Sequence, residues 1–202
     1  MFATGKLMSS IATNKRMRFD GVDDYMDLNI LPDEIMETGV FDISFDMFWE
    51  SSNIASYDRI IMGITTTGFA RLQRNSGGST FEFWARKSAG NNIVRESFNL
   101  TPDVAHTVRL VGDGVDLDIL VDGVIETSGA LATTHFHTPT WTTLTLSSDA
   151  STLQGSIWNW SITTASVTQF LLGKGNLASD WLDQSGNGNE VTIYGSPEAT
   201  YI

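Results

Sequence analysis

The strongest constraint on this chain is a period of two. In FDISFDMFWE, Phe41, Ile43, Phe45, Met47 and Trp49 alternate with Asp42, Ser44, Asp46, Phe48 and Glu50. Successive side chains on a strand point to opposite faces, so this spacing builds one apolar and one mainly polar face, whereas a helix would scatter both sets around its circumference. VDLDILVDGVIE repeats the pattern, with Val115, Leu117, Ile119 and Val121 set against Asp116, Asp118, Leu120 and Asp122. Asp122-Gly123 then supplies residues that accept the positive φ angles of a two-residue hairpin.

FARLQR and FEFWAR, separated by Asn75-Ser76-Gly77-Gly78-Ser79, predict a second hairpin with a longer loop. Further strands are expected at 59–64, 92–98, 106–112, 142–147 and 156–162, each bounded by Gly, Asp, Asn or Ser. Many short alternating strands with turns between them predict an all-β antiparallel sandwich of jelly-roll type. One short helix is expected near the C-terminus in ASVTQFLLGKG, with Ser166 as cap and Gly173 as stop. Residues 1–15 carry no periodicity and read as an N-terminal arm, leaving 16–202 as one domain. A chain of 202 residues buries roughly 70% of its unfolded surface, so one core suffices without the disulfides that zero cysteines exclude.

Twelve Lys plus Arg stand against 24 Asp plus Glu, a net charge of -12. That charge repels a phosphate backbone and argues against nucleic-acid binding. No run of 18 apolar residues occurs, and MFATGKLMSSIATNKR holds no apolar stretch long enough for a signal peptide, so the sequence predicts no membrane insertion and no export signal.

FDGVDDYMDL concentrates Asp20, Asp23, Asp24 and Asp27 in one short stretch. Short carboxylates accept hydrogen bonds from nearby backbone N–H groups, so a turn is the first reading. Calcium held by Asp20, Asp23 and Asp24 is the second, and it requires further oxygen ligands from elsewhere.

FDGVDDYMDL, FDISFDMFW, HTVRLVGDGVDLDILVDGVIETSG, GSIWNWSI and DQSGNGNEVTIYG together resemble the laminin-G-like branch of the concanavalin A-like jelly rolls, from about Arg18 onward. In such domains an SGNGN-type segment commonly precedes the FDG-type segment, whereas here Ser185 to Asn189 lie near the C-terminus. The resemblance implies adhesion or surface recognition, and calcium at a sheet rim in some relatives.

Glycoside hydrolases of this general fold make an enzyme worth testing, and they need two carboxylates about 5 to 9.5 Å apart. Asp42 and Asp46 are about 13 Å apart along one strand. Asp116 and Asp118 are about 7 Å apart on one face but adjoin a hairpin and read as solvated acids. His135 and His137 share a side of an extended segment yet have no third ligand nearby, and His106 has no evident partner. Trp158, Trp160 and Ile162 alternate with Asn159 and Ser161 and are expected in the core, as is Trp49, while Trp181 is expected to anchor the terminal segment.

If Phe81, Phe83 and Ala85 face inward, Glu82, Trp84 and Arg86 share the outward face, and Phe48 is outward between Asp46 and Glu50. An indole between an acid and a guanidinium suits a protein interface first and a sugar ring second. The expectation is therefore a non-catalytic structural or recognition protein without a cofactor. The resemblance, taken with the missing export signal, implies a virion surface as its setting, as a bacteriophage capsid-decoration or tail-associated jelly roll, or otherwise an extracellular one. Partners are other virion proteins or a host-surface glycan. A carbohydrate-binding lectin is the alternative and a glycoside hydrolase the third reading.

Overall fold

The computed structural model describes residues 15–30, 38–51, 58–64, 69–75, 78–88, 91–131, 145–146, 153–164, 168–171, 173, 175–188 and 190–201. The expected N-terminal arm lies outside the described residues up to 14, and strand β1 (Lys15–Asp20) begins at Lys15. The strands that follow are β2 (Tyr25–Asp27), β3 (Val40–Trp49), β4 (Asp58–Ile64), β5 (Phe69–Arg74), β6 (Thr80–Ser88), β7 (Asn91–Asn99) and β8 (Ala105–Asp113). Then come β9 (Asp116–Val121), β10 (Val124–Ala130), β11 (Thr145–Leu146), β12 (Gln154–Thr164), β13 (Thr168–Leu171), β14 (Thr192–Tyr194) and β15 (Glu198–Tyr201).

Two antiparallel sheets result. Sheet A runs β10-β9-β8-β3-β12-β1-β15, with β13 also paired to β12, and sheet B runs β14-β2-β11-β4-β5-β6-β7. The period of two explains the layering. Phe41, Ile43, Phe45, Met47 and Trp49 are buried on sheet A, and Leu72, Phe81, Phe83 and Ala85 are buried on sheet B. Each fully buried side chain of this size contributes about 1.5–3 kcal/mol through removal from water. Trp49 meets Phe81 edge to face, with ring centroids 5.7 Å apart, joining the two layers. The Asp122-Gly123 hairpin forms as its sequence requires, with φ of 51° and 82°. The longer β5–β6 hairpin pairs Arg74 with Phe81.

Two expectations are corrected. Thr168–Leu171, placed in a helix on sequence, is strand β13 and pairs with β12, Trp160 opposite Leu171. Its burial alternates, and the side chain of Gln169, fully buried, accepts the Trp160 indole N–H at 3.0 Å. Pairing with β12 therefore overrides the weak local helical pattern. The short helical element near the C-terminus is instead a 3₁₀ turn, Ala178–Trp181, which seats the fully buried Trp181 with its indole N–H on the Gly175 carbonyl at 3.1 Å.

The second correction concerns Trp158. Between β12 and β3 the register slips, from Trp158 opposite Asp46 to Ser161 opposite Ser44, leaving two residues of β12 without partners on β3. Asn159 absorbs the slip with φ of 49°. Such a bulge reverses the facing of every side chain on one side of it. Ile157, Trp160 and Ile162 therefore belong to the core, while Trp158 shares the outward face of sheet A with Asp46.

Candidate functional site

On the outward face of sheet B, three strands in register place Arg71 on β5, Trp84 on β6 and Arg95 on β7 side by side. Trp84 is half-buried. The guanidinium carbons of Arg71 and Arg95 lie 4.8 and 4.4 Å from its ring centroid, arriving from the two flanking strands. This is cation–π geometry. One step along the sheet, Gln73, Glu82 and Ser97 form the adjoining row. Glu82 is buried although its strand turns it outward, and its carboxylate accepts Arg95 Nε at 2.5 Å and Gln73 Nε2 at 3.4 Å. Arg95 keeps 53% of its side chain exposed against 4% for Glu82, so a fixed anion beneath holds an accessible cation above. The expected grouping of Glu82 with Trp84 is present, and Arg86 occupies the same strand with its side chain outside the described set. Arg71, Gln73 and Arg95 were not singled out on sequence, since only strand register reveals them.

Phe48 does not join that group. It lies on the opposite side of the sandwich, half-buried on the outward face of sheet A, beside Ser156 on β12. There Arg16 lies over Trp158 at 4.7 Å from its ring centroid. Burial lowers the Arg16 guanidinium from its usual pKa, while the Asp46 charge pulls the other way. Arg16 Nε and Ser156 Oγ are buried without a hydrogen-bond partner. Asp46 accepts Thr107 Oγ1 at 2.6 Å and Asn159 Nδ2 at 2.5 Å. His106, read on sequence as lacking a partner, bonds Asp122 through Nδ1 at 2.8 Å, and Asp122 also accepts the Thr107 amide at 2.9 Å. Burial raises the Asp122 carboxyl, but the His106 and Thr107 bonds outweigh it and the net direction is down. Asp46, Ala105, His106, Thr107, Asp122 and Trp158 together line a cleft of about 200 Å³.

The aspartate-rich stretch is the corner that carries the chain from sheet A to sheet B, with β1 ending at Asp20 and β2 starting at Tyr25. Asp24, 1% exposed, accepts the Asp20 amide at 3.0 Å and the Ser196 amide at 2.8 Å. Asp20 accepts the Val22 amide at 2.7 Å. The second corner, between β14 and β15, is thus tied to the first, and a Cβ on Gly195 (φ 79°) would stand 2.5 Å from Asp24 Oδ1. Burial raises the Asp24 carboxyl, opposed by these two amides. One carboxylate oxygen from each of Asp20, Asp23 and Asp24 lies within 4.8 Å of the others. Calcium needs six to eight oxygens, and Asp24 already serves two backbone amides, so turn formation accounts for what is present. The SGNGN-type segment precedes β14 in the chain, its residue 189 lying outside the described residues, and β14 pairs with β2 beside this corner.

Of the Asp116 and Asp118 pair, the Asp118 carboxylate accepts the Ser128 hydroxyl, while the Asp116 backbone amide donates to Asp113 at 2.7 Å in the turn before β9. Asp42 forms an exposed pair with Arg109. His135 and His137 lie outside the described residues. A larger cavity of about 470 Å³ sits at the C-terminal segment, lined by Trp181, Leu182, Gln184 and Val191 among others. Its Asp183 is already engaged by Ser185 and by the Phe170 amide. Among the described residues no helix is long and apolar enough to cross a membrane.

No family model matches the sequence, and no curated protein matches it. Solved structures do. A native heptameric SAP-like pentraxin from Limulus polyphemus superposes with a TM-score of 0.56 at 8% identity, covering 94% of this chain and 95% of that one. Domains LG4-5 of the mouse laminin alpha1 chain give 0.55 at 11% identity over 93% of this chain, which spans 48% of theirs. The CBM40 of the Ruminococcus gnavus IT-sialidase, bound to α2,3-sialyllactose, gives 0.57 at 13% identity over 70% and 85% of the two chains. At these identities the likeness establishes the fold: a concanavalin A-like jelly roll.

Proposed function

We propose that this chain is a non-catalytic recognition protein that docks through the outward face of sheet B, with Trp84 as anchor and Arg71 and Arg95 as its charged flanks. The arrangement of two guanidiniums on a half-buried indole, one of them braced by a buried Glu82, carries this reading. Trp and Arg are enriched among the residues that dominate binding energy at protein interfaces. A sugar ring stacking on Trp84 would have to displace a guanidinium, which favours a protein surface over a glycan at this place. The fold supports recognition more broadly, since the sialyllactose-bound module uses it for binding. A hydrolase reading has less support, because Asp42, Asp46 and Asp118 are engaged by Arg109, Thr107 and Ser128.

The setting we propose is the exterior of a bacteriophage particle, as a decoration or tail-associated subunit. A cysteine-free sandwich whose core needs no oxidising compartment supports it. The test is to mix the purified chain with capsids and tails of the particle in whose genome it is encoded and to measure co-sedimentation. Saturable binding that Trp84→Ala abolishes is the expected result. Absence of the chain from purified particles by mass spectrometry, together with a strictly monomeric native mass and no binding, would overturn the reading.

A further inference from the structure

We infer that the partner of the sheet B face is an acidic segment of another protein, whose carboxylates take the guanidiniums of Arg71 and Arg95 on either side of Trp84. The inference rests on the docking reading for its place and adds the chemistry of what docks there. The starting point is where charge lies along the chain. Residues 58–99, which run from β4 to β7, hold six Lys or Arg against three acids, while the rest of the sequence holds six against 21. A chain of net charge -12 thus carries a locally basic sheet. At physiological salt, exposed charges more than about 8 Å away are largely screened. A ligand over Trp84 therefore meets the local sign rather than the global one.

Not every cation of that run reaches the surface. Arg74 is fully buried, its guanidinium over Trp49 at 4.9 Å from the ring centroid. Arg71 and Arg95 are on the outward face with Trp84. Among the described residues Arg95 makes one hydrogen bond, from Nε to Glu82, so its terminal amino groups keep their donors on a side chain that is 53% exposed. Glu82, at 4%, lies too deep to meet a ligand, and its task is to fix the fork beforehand, which lowers the cost of binding. Arg71 and Arg95 stand on the two strands flanking β6, so their backbones are roughly 10 Å apart. An extended segment presents alternate side chains on one side, about 7 Å apart. A stretch with acids at alternate positions can therefore reach both guanidiniums, in the short and often bidentate geometry of such pairs. A second copy of this chain is the poorer occupant, because two molecules of net charge -12 repel. An acidic sugar chain is also poorer, because guanidiniums already lie over the Trp84 ring where a sugar would stack.

The test is a titration of the whole chain, labelled with ¹⁵N, with the peptides hexaglutamate, hexaserine and hexalysine, and separately with a glucuronic acid oligosaccharide. Saturable shifts at the Trp84 indole N–H with hexaglutamate are expected, with none from hexaserine or hexalysine and weaker ones from the sugar acid. Arg71→Gln should weaken hexaglutamate binding by about fivefold or more. Arg109→Gln, which removes the same charge from sheet A, should leave it unchanged. The inference is wrong if hexaglutamate gives no saturable shift, if hexaserine matches it, if the shifts map away from Trp84, or if the sugar acid binds more tightly. Concentration-dependent shifts at Trp84 without any peptide would assign the face to a second copy and equally overturn it. The wild-type titration decides this even if Arg71→Gln fails to fold. Particle docking that Trp84→Ala abolishes, without any response to hexaglutamate, would sink this inference alone, whereas a hexaglutamate response without particle docking would sink the proposed setting alone.

Discussion

Trp158 on sheet A is 6% exposed beneath Arg16, while Trp84 on sheet B stands half-buried between Arg71 and Arg95. Both indoles point away from the core, and each carries a guanidinium on its ring. The difference lies beneath them. Under the sheet B face a buried acid, Glu82, anchors Arg95 and leaves the upper surface presented outward. On sheet A the bulge at Asn159 leaves the indole on the outward face, where Arg16 covers it beside a small polar cleft. The same two residue types, Trp and Arg, thus serve as a raised anchor on one face and as a covered pair on the other, according to strand register.

The comparison breaks most readily at the tryptophans. Trp158→Ala should cost about 3–5 kcal/mol of folding stability, as for other buried large-to-small changes, measured by urea unfolding. Trp84→Ala should cost under about 1 kcal/mol by the same assay while weakening docking by about 2 kcal/mol or more, read from binding isotherms. Equal stability losses would erase the distinction.

Charge pairs sharpen it. Arg95→Ala leaves Glu82 buried with only Gln73 as a side-chain donor among the contacts described, and should cost about 1–2 kcal/mol in thermal or urea melts. Arg109→Ala on sheet A breaks an ion pair whose members are 48% and 38% exposed, and should cost less than about 1 kcal/mol.

The pH dependence is smaller and opposite in sign at two acids. The folded state holds Asp122 below its usual range, so its stabilisation is present above the unfolded value of about 3.9 and is lost as pH falls through the lower folded value. Burial raises Asp24, so the folded chain keeps a proton there just above about pH 3.9. Lowering the pH through that window should therefore stabilise the wild type relative to Asp24→Ala. Urea midpoints across a pH series read both slopes. Millimolar calcium should produce neither heat in a calorimetric titration nor a rise in melting temperature, because Asp20 and Asp24 already serve backbone amides.

Much of the architecture was legible in the sequence because alternation is local. The strands around Ile43 and Ile119 and the Asp122-Gly123 hairpin require nothing beyond neighbouring residues. Trp158 was misplaced because a bulge breaks the period, and no residue type announces it: Asn159 is an ordinary polar residue until its φ is known. Thr168–Leu171 was read as helical because four residues carry little periodicity, and only the β12 edge decides their state. The Glu82 and Trp84 pair was foreseen from one strand, but Arg71 and Arg95 come from its neighbours. The Asp122 partner of His106 lies sixteen positions away. Sites assembled across strands become visible only once register is known.

The pairing of Lys15 with Tyr201 brings the first and last described strands together at one margin of sheet A. A linker could therefore join these ends over a short span, and the ring so formed could be reopened at the Asp122-Gly123 turn. Such a circular permutant would preserve every strand partnership except the covalent one between β9 and β10, a rearrangement tolerated where ends lie close. By the same geometry, the domain can be grafted into a surface loop of a host protein, both faces free to work while its two tethers leave from one side.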